Sequence, residues 1–249
     1  MLQKLLLYLI FSSLTIISAA QSGFEIGPSA QYQSTWMLNQ DDTDAGGVLD
    51  YKNTMNLSLG GNISYGFAPR HAIRVGIFKS TQGQNYTTDD TFIELPNTKY
   101  KTTLEYLNIP VLYRYNGDLK KTNTAFLLTV GPQFGILQSA KADSLVRNFV
   151  DSTASIKSGI DVMKSYNAND ISAALGIGMV ARFNKHWHMN AMLNFTYSIS
   201  DIEVGSFKAL NRRPTQNAAV GLNISFYYLF KGPEMVVQPK LRDWFVRGV

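Results

Sequence analysis

The sequence contains no cysteine, which excludes a disulfide framework, a thiolate metal site and a lipid-modified cysteine after an export signal. Charged residues are also scarce, at 16% of the chain against about 25% in an average soluble domain. The net charge of +5 is spread along the chain and forms no basic run suited to nucleic acid. These absences argue against a typical soluble enzyme and against a nucleic-acid-binding protein.

Long apolar runs are missing after the first 20 residues, MLQKLLLYLIFSSLTIISAA. Lys4, the apolar run that follows it and the small residues Ser18-Ala19-Ala20 have the pattern of a signal peptide, with cleavage expected before Gln21. The alternative is an uncleaved anchor, but the run falls short of the ~20 apolar residues that a spanning helix needs. An exported chain with no second anchor is periplasmic, secreted or an outer-membrane barrel.

What the sequence has in abundance is alternation with a period of two, which is typical of β-strands. The stretch Asn217–Phe230, NAAVGLNISFYYLF, places large apolar side chains on one face and small or polar ones on the other. Half-apolar strands also explain a mean hydropathy of only −0.08 beside 45% hydrophobic residues. We therefore interpret this stretch as the closing strand of a transmembrane β-barrel, with its apolar face toward lipid.

Eight such runs occur, and each is longer than the roughly 9–11 residues that a spanning strand requires. They are Gly23–Met37, Thr54–Phe67, Ala72–Gly83, Thr102–Tyr115, Thr124–Gln138, Asp170–Phe183, His188–Ser200 and Asn217–Phe230. In the fourth run Pro110 cannot donate to a ladder, so we expect a local bulge there. The sequence thus predicts an all-β fold, an eight-stranded antiparallel up-and-down transmembrane β-barrel.

The connections between these runs alternate in length. Short, mostly polar links follow the second, fourth and sixth runs, and long links follow the first, third, fifth and seventh. Outer-membrane barrels have short periplasmic turns and longer external loops, and eight strands place both termini on the periplasmic side. The pattern predicts a barrel domain over residues 21–230. Aromatic residues add support, because Trp187, Tyr228 and Phe230 fall at the predicted periplasmic interface.

A soluble lipocalin-like barrel is the competing interpretation, since it also has eight alternating strands. Such a barrel directs its apolar face inward and its charges outward. Here the face opposite the apolar one consists of Gly, Ser, Asn, Thr and Gln, with few Lys or Glu. These small polar residues suit a narrow, filled lumen better than a wetted exterior. The orientation of Leu193 and Phe195 against Asn190 and Asn194 therefore decides between the two.

Two segments resemble a known family. Tyr106–Tyr115, YLNIPVLYRY, and the later strand TVGPQFGIL around Gly131-Pro132 are similar to the outer-membrane β-barrel family of Bacteroidota, which includes PorT-like and OmpX-like proteins. The resemblance covers Gly23 to Phe230 and implies an eight-stranded barrel of the outer membrane. Some relatives serve type IX secretion and gliding. The family has no shared catalytic motif to transfer to this chain.

The candidate functional residues in the lumen are charged: Glu25, Arg74, Arg114 and Arg182. By strand parity all four point inward near the periplasmic ends. A charge in a narrow lumen must be paired or hydrated, so we expect Glu25 to pair with at least one of the arginines. The set is interpreted as a structural plug, with a gated anion path as the alternative.

Other candidate sites are weaker. Asp41, Asp42 and Asp44, with Asp89 and Asp90, supply oxygen ligands of the kind that calcium prefers, but the EF-hand order is absent and solvated loop charge is the preferred reading. The three histidines are His71, His186 and His188, all at the predicted periplasmic end. None has a catalytic serine or carboxylate constellation at the external rim, so we predict no enzyme activity, no cofactor and no metal.

The chain continues for residues 231–249 beyond the last strand as KGPEMVVQPKLRDWFVRGV. Leu241, Trp244 and Phe245 have the i, i+3, i+4 spacing of a short amphipathic helix. This predicted periplasmic tail is a frayed terminus, a docking peptide or an interfacial anchor. The sequence predicts a non-enzymatic outer-membrane protein, surrounded by lipid, that acts through a periplasmic or outer-membrane protein partner. The alternative is a porin-like channel or carrier for a small solute.

Overall fold

A computed structural model of the chain describes residues 23–44, 50–68, 70–88, 98–117, 123–148, 153–208 and 211–230. The predicted signal peptide and the tail at 231–249 lie outside these residues. The described residues form ten strands: β1 Phe24–Asn39, β2 Asp50–Lys52, β3 Thr54–Ala68, β4 His71–Thr88, β5 Thr98–Asn116, β6 Thr124–Asn148, β7 Thr153–Asp161, β8 Asn169–Arg182, β9 Trp187–Ser198 and β10 Thr215–Phe230. A short helix, α1, covers Gln40–Asp44.

Eight of these strands close into an antiparallel ring in the order β1-β3-β4-β5-β6-β8-β9-β10. The seam is the pairing of β1 with β10, which runs without a register shift from Phe24 opposite Phe230 to Asn39 opposite Thr215. The predicted eight-stranded up-and-down barrel is confirmed. We call the end with the links after β3, β5 and β8 the short-turn end, and the opposite end the long-loop end.

The side-chain directions separate the two interpretations left open by the sequence. Leu193, Phe195 and Tyr197 on β9 point outward and are exposed, whereas Asn190 is 1% exposed inside the barrel. The same alternation holds along β10, where Leu222 is half exposed and Asn223 is buried. An exposed apolar belt around a buried polar interior is a lipid-facing barrel and the reverse of a lipocalin.

The strands extend well beyond the bilayer on one side only. β6 has 25 residues and β5 has 19, although about 9–11 residues cross the hydrocarbon. An exposed ion pair on the outer surface, Lys79 to Glu105 at 3.3 Å, lies just past the apolar belt on this wall. Beyond it, β2 pairs with β4 and β7 pairs with β6. Much of the predicted long loops at 84–101 and 139–169 is therefore strand.

The bulge expected at Pro110 is wrong. The β4–β5 ladder keeps one register across it, with Phe78 opposite Asn108 and Val75 opposite Val111. The proline ring is buried in the lumen beside Gly76, where it shares with the Asn62 and Phe78 side chains the space that a Cβ atom would need. The missing N–H of Pro110 thus removes one hydrogen-bond donor from the ladder, and no extra residue is inserted in either strand.

The register of this wall shifts farther toward the long-loop end. Tyr106 pairs with Leu137, whereas Glu105 pairs with Ser139, so Gln138 is the extra residue in β6. Because of this bulge, Leu137 and Ala140 are both buried although they are three positions apart in one strand.

Aromatic rings surround the short-turn end. Trp187 lies edge-on to Tyr228 with ring centroids 5.1 Å apart, and Tyr228 meets Phe230 at 5.0 Å. Phe230 in turn contacts Phe24 across the seam at 5.8 Å. Rings with one polar edge favour the boundary between lipid and water, so this belt marks the membrane surface at the short-turn end.

Candidate functional site: the closed lumen and its rim

A buried ion pair closes the lumen near the short-turn end. Glu25 on β1 and Arg114 on β5 face each other across the interior, and two guanidinium nitrogens donate to the two carboxylate oxygens at 2.6 and 3.0 Å. Both side chains are almost fully buried. The sequence predicted that Glu25 pairs with one of the lumen arginines, and the structure shows that the partner is Arg114.

Two aromatic rings complete this closure. His188 lies with Nε2 at 3.6 Å from a Glu25 oxygen, and its ring stacks on Tyr227 at 5.1 Å with an interplanar angle of 8°. Tyr227 is fully buried. The sequence placed His188 at the short-turn end but did not connect it to Glu25, although both are inward positions on strands that flank β10.

The other two predicted lumen residues differ from this pair. Arg182 has inward parity at the end of β8, but its side chain is exposed at the mouth of the barrel. Arg74 is 4% exposed inside the lumen, and its Nη1 lies 3.9 Å from the sulfur of Met192. The four charged residues therefore do not form one network, because the structure brings together only Glu25 and Arg114.

An apolar cluster closes the lumen at the long-loop end. We call it the apolar cap; its buried members are Met37, Leu104, Tyr106, Leu137, Ala140 and Ile202, with Val162 and Tyr166 packed against them. Burial raises the pKa of the Tyr166 phenol to about 12. Here the barrel has the polarity of a soluble protein, with apolar residues inside, because its outer surface faces water and not lipid.

One carboxylate lies next to this cap and was not singled out by the sequence. Asp170 at the start of β8 is 4% exposed and accepts hydrogen bonds from the hydroxyls of Ser198 and Ser200 and from the side-chain amide of Asn217. These donors hydrogen-bond to both oxygens of the buried carboxyl group. The Ser-x-Ser spacing at the end of β9 was the only sequence signal for them.

Ion pairs tie the first and last segments of the long-loop end together. Arg212 donates to both oxygens of Asp42 at 2.7 and 3.0 Å, and Arg213 donates to Asp41 at 2.6 Å and to Asp44 at 2.5 Å. We call these five residues the loop clamp. The acidic side chains that the sequence considered for calcium are thus bound by arginines, and Asp89 and Asp90 lie outside the described residues.

The clamp shifts the acid–base behaviour of its members. The backbone N–H and then the side chain of Arg213 hold the pKa of Asp41 below its usual 3.8. The hydrogen bonds from Arg212 to Asp42 raise the pKa of that guanidinium. Both shifts favour the charged forms, so the clamp is intact at neutral pH. Within the described part of the chain, no group of three or more His, Cys, Asp or Glu side chains could hold a metal ion.

The two remaining histidines have local partners. The Nδ1 atom of His71 lies 2.5 Å from the hydroxyl of Tyr113, and that of His186 lies 3.1 Å from the carbonyl oxygen of Leu229. The tail candidates Leu241, Trp244 and Phe245 lie outside the described residues. The absence of enzyme activity stays a prediction.

An exposed apolar belt, a polar interior closed at both ends and a ring of eight antiparallel strands define a transmembrane β-barrel. The chain belongs to the outer membrane protein beta-barrel domain family, whose model matches residues 15–203, more than half of its length. This membership and the fold place the protein in the outer membrane. Within the described residues, no helix combines the length and apolarity needed to span a bilayer.

Two solved structures are similar to this chain, and the one with the higher TM-score supports the fold. The chain is similar to the outer membrane protein OprG from Pseudomonas aeruginosa, with 12% identity, a TM-score of 0.50, and coverage of 87% of this chain and 99% of that one. It is also similar to Neisserial surface protein A, with 10% identity, a TM-score of 0.41, and coverage of 81% and 95%. At these identities the likeness concerns the fold alone. No curated protein sequence gives a significant match.

Proposed function

We propose that this protein is a non-enzymatic outer-membrane barrel that acts through contacts with another protein, made by its long-loop end and by its tail. The observation that carries the proposal is the closed lumen. The Glu25–Arg114 pair with Tyr227 fills one end, and the apolar cap fills the other. Eight strands leave an interior that side chains just fill, so transport has little room.

The surface that extends from the membrane supports the same proposal. β4, β5, β6 and β7 continue past the apolar belt as a sheet, and Lys157 and Ser158 on β7 are exposed. Among the strands that the structure describes, β7 pairs only with β6, which leaves its other edge available for a further strand. An open edge on a sheet is a common docking surface for an extended segment of a partner.

The finer identity rests on the sequence. The resemblance of Tyr106–Tyr115 to the Bacteroidota barrels with PorT-like members favours a partner within a secretion or envelope complex. We further propose that residues 1–20 are a cleaved signal peptide and that residues 231–249 form a periplasmic docking tail around Trp244. Deleting residues 233–249 tests the tail, because unchanged insertion, partner capture and phenotype would contradict it.

Photocrosslinking in whole cells tests the docking proposal. A photoreactive amino acid at Lys157 is expected to yield a discrete protein adduct, while the same probe at Leu222, which faces lipid, is expected to yield none. Absence of an adduct at Lys157 and at the neighbouring exposed positions of β7 would contradict the proposal.

The second candidate function is a small-solute channel. The observation that favours it is that the interior of the barrel is charged and polar and not apolar. Planar-bilayer recordings separate the two. A closed lumen predicts no stepwise conductance above the bilayer background, whereas reproducible steps would favour the channel. The variant Glu25→Ala serves as a control. It removes the Glu25–Arg114 ion pair that closes the short-turn end and leaves the residues of the apolar cap unchanged.

A further inference from the structure

Arg74 is a buried cation whose charge the surrounding residues do not neutralise. It lies on β4 and is 4% exposed. Among the described residues, its Nη1 reaches only the Met192 sulfur, at 3.9 Å, and its Nε has no hydrogen-bond partner. Over the ranges that the structure describes, no carboxylate lies within ion-pair distance of this guanidinium.

Neither buried carboxylate of the interior is available to Arg74. Both oxygens of Glu25 accept from Arg114, and Asp170 accepts from two serines and Asn217 near the apolar cap. A buried charge is normally paired, because an unpaired one loses its hydration without compensation. The side chains that the structure describes therefore leave Arg74 without a counter-charge.

A cavity with a mixed polar and apolar lining lies directly beside Arg74. Its volume is about 40 Å³, and its lining includes Gln33, Asn108, Thr129 and Asn194 as well as Arg74. Within the described residues, the buried hydroxyl of Thr129 has no hydrogen-bond partner and can donate into the cavity. The side-chain carbonyl oxygens of Gln82 and Asn194 in the lining also have no partner, and a water molecule beside the ion can donate to them. One water needs roughly 10–15 Å³ of such volume, so the cavity can hold a monatomic ion with a water molecule.

We propose that this cavity is a binding site for a single small inorganic anion of about the size of chloride. Arg74 supplies the charge and the Nε–H donor, and Thr129 supplies a hydroxyl donor. Water alone would hydrate the guanidinium but would leave its charge uncompensated in an interior of low dielectric constant. The site goes beyond the proposed docking function and does not depend on it.

Bromide is the probe, because it replaces chloride and is located by anomalous diffraction. The full chain is refolded in detergent with sodium bromide, so that a closed lumen cannot exclude the ion, and is then crystallised. We expect an anomalous peak beside Arg74 in the wild type. The absence of a peak there would overturn the proposal whatever any variant does.

Thermal unfolding supplies the second measurement. At equal ionic strength, bromide or chloride should raise the Tm of the wild type by about 2–4 °C over gluconate, which is too large for the cavity. Arg74→Met should abolish this difference and Thr129→Val should reduce it. The matched control is Arg182→Met, an exposed arginine with the same parity, which should retain the full difference. An equal difference in Arg74→Met would overturn the proposal.

Discussion

Arg212 and Asp42 form a bidentate ion pair although 170 positions separate them in the sequence. The same guanidinium also donates through Nε to Glu203 at 3.1 Å. One side chain thereby joins the segment that follows β1, the segment that follows β9 and the entry to β10. The seam of the barrel is thus held at the long-loop end by side chains as well as by its backbone ladder.

Loss of Arg212 should loosen this end without unfolding the barrel. For a partly exposed pair of this kind we expect Arg212→Gln to reduce local stability by about 1 kcal/mol. Backbone amides in α1 and at residues 211–214 should then exchange hydrogen roughly fivefold faster. Hydrogen exchange with mass spectrometry measures this. Lys52→Gln, which removes an exposed pair with Asp50, is the control and should change nothing there.

The clamp should open in acid. The pKa of Asp41 in the folded protein is lower than its usual 3.8, so the stabilisation is fully present above pH 3.8 and is lost as the pH falls through the lower folded value. We expect the exchange rate around residue 41 to be flat from pH 7 to pH 4, after correction for intrinsic rates, and to rise below that. Asp41→Asn should remove the rise; a transition near pH 6 would contradict this assignment.

Removing one partner of the lumen ion pair should be costly. Glu25→Ala leaves the Arg114 guanidinium buried without its counter-charge, and such losses destabilise by about 3–5 kcal/mol. Urea unfolding of the refolded barrel in lipid vesicles measures the change. Restoring apolar packing with Glu25→Leu and Arg114→Met together should recover most of it. A loss below about 1 kcal/mol for the single variant would show that the pair is dispensable.

The seam should not tolerate a side chain at Gly27. A Cβ atom at this position would overlap the carbonyl oxygen and carbon of Phe226 on β10, and backbone atoms cannot move aside as a flexible side chain can. Gly27→Ala should therefore lower the yield of closed barrel, seen as the fraction that keeps its compact gel mobility in unheated detergent. Gly61→Ala is the matched control, because its Cβ would meet only the Gly27 carbonyl oxygen at 3.4 Å.

A charged residue on the outward face should destabilise the barrel more the closer it lies to the middle of the membrane. Leu193 lies in the middle of β9, so Leu193→Arg should destabilise the barrel by about 2–4 kcal/mol. Ile199 follows the strand end and is 68% exposed, so Ile199→Arg should cost only about 0–1 kcal/mol. Equal costs at both positions, measured by unfolding from lipid vesicles, would contradict the placement of the apolar belt.

The sequence predicted the membrane wall because lipid on one side and a filled lumen on the other impose strict alternation. β9 and β10 show it at nearly every position. The sequence did not predict the extension of β4 and β5 past the membrane, where residues 98–101, TKYK, have no aliphatic side chain on either face. With water outside, the outward face need not be apolar, and the period-two signal weakens.

Long-range pairs were equally hidden. The clamp joins Arg212 and Asp42, and nothing in the local spacing of either residue specifies the other. The Glu25–Arg114 pair could be predicted from the sequence, because both residues share the inward parity and lie at the same end of the barrel. Arg182 shares both properties yet is exposed, since parity cannot say how far a strand end lies from the mouth.

The one-sided extension of β5, β6 and β7 gives the molecule a front and a back. On one side of the barrel, β6 has 25 residues and continues past the apolar belt as a sheet. On the side of the seam, β1 and β10 have 16 residues each and extend less far. A freely rotating cylinder would offer the same profile in every direction. This barrel differs from one side to the other, so a partner that binds the β6 wall would be held at one rotational orientation about the membrane normal.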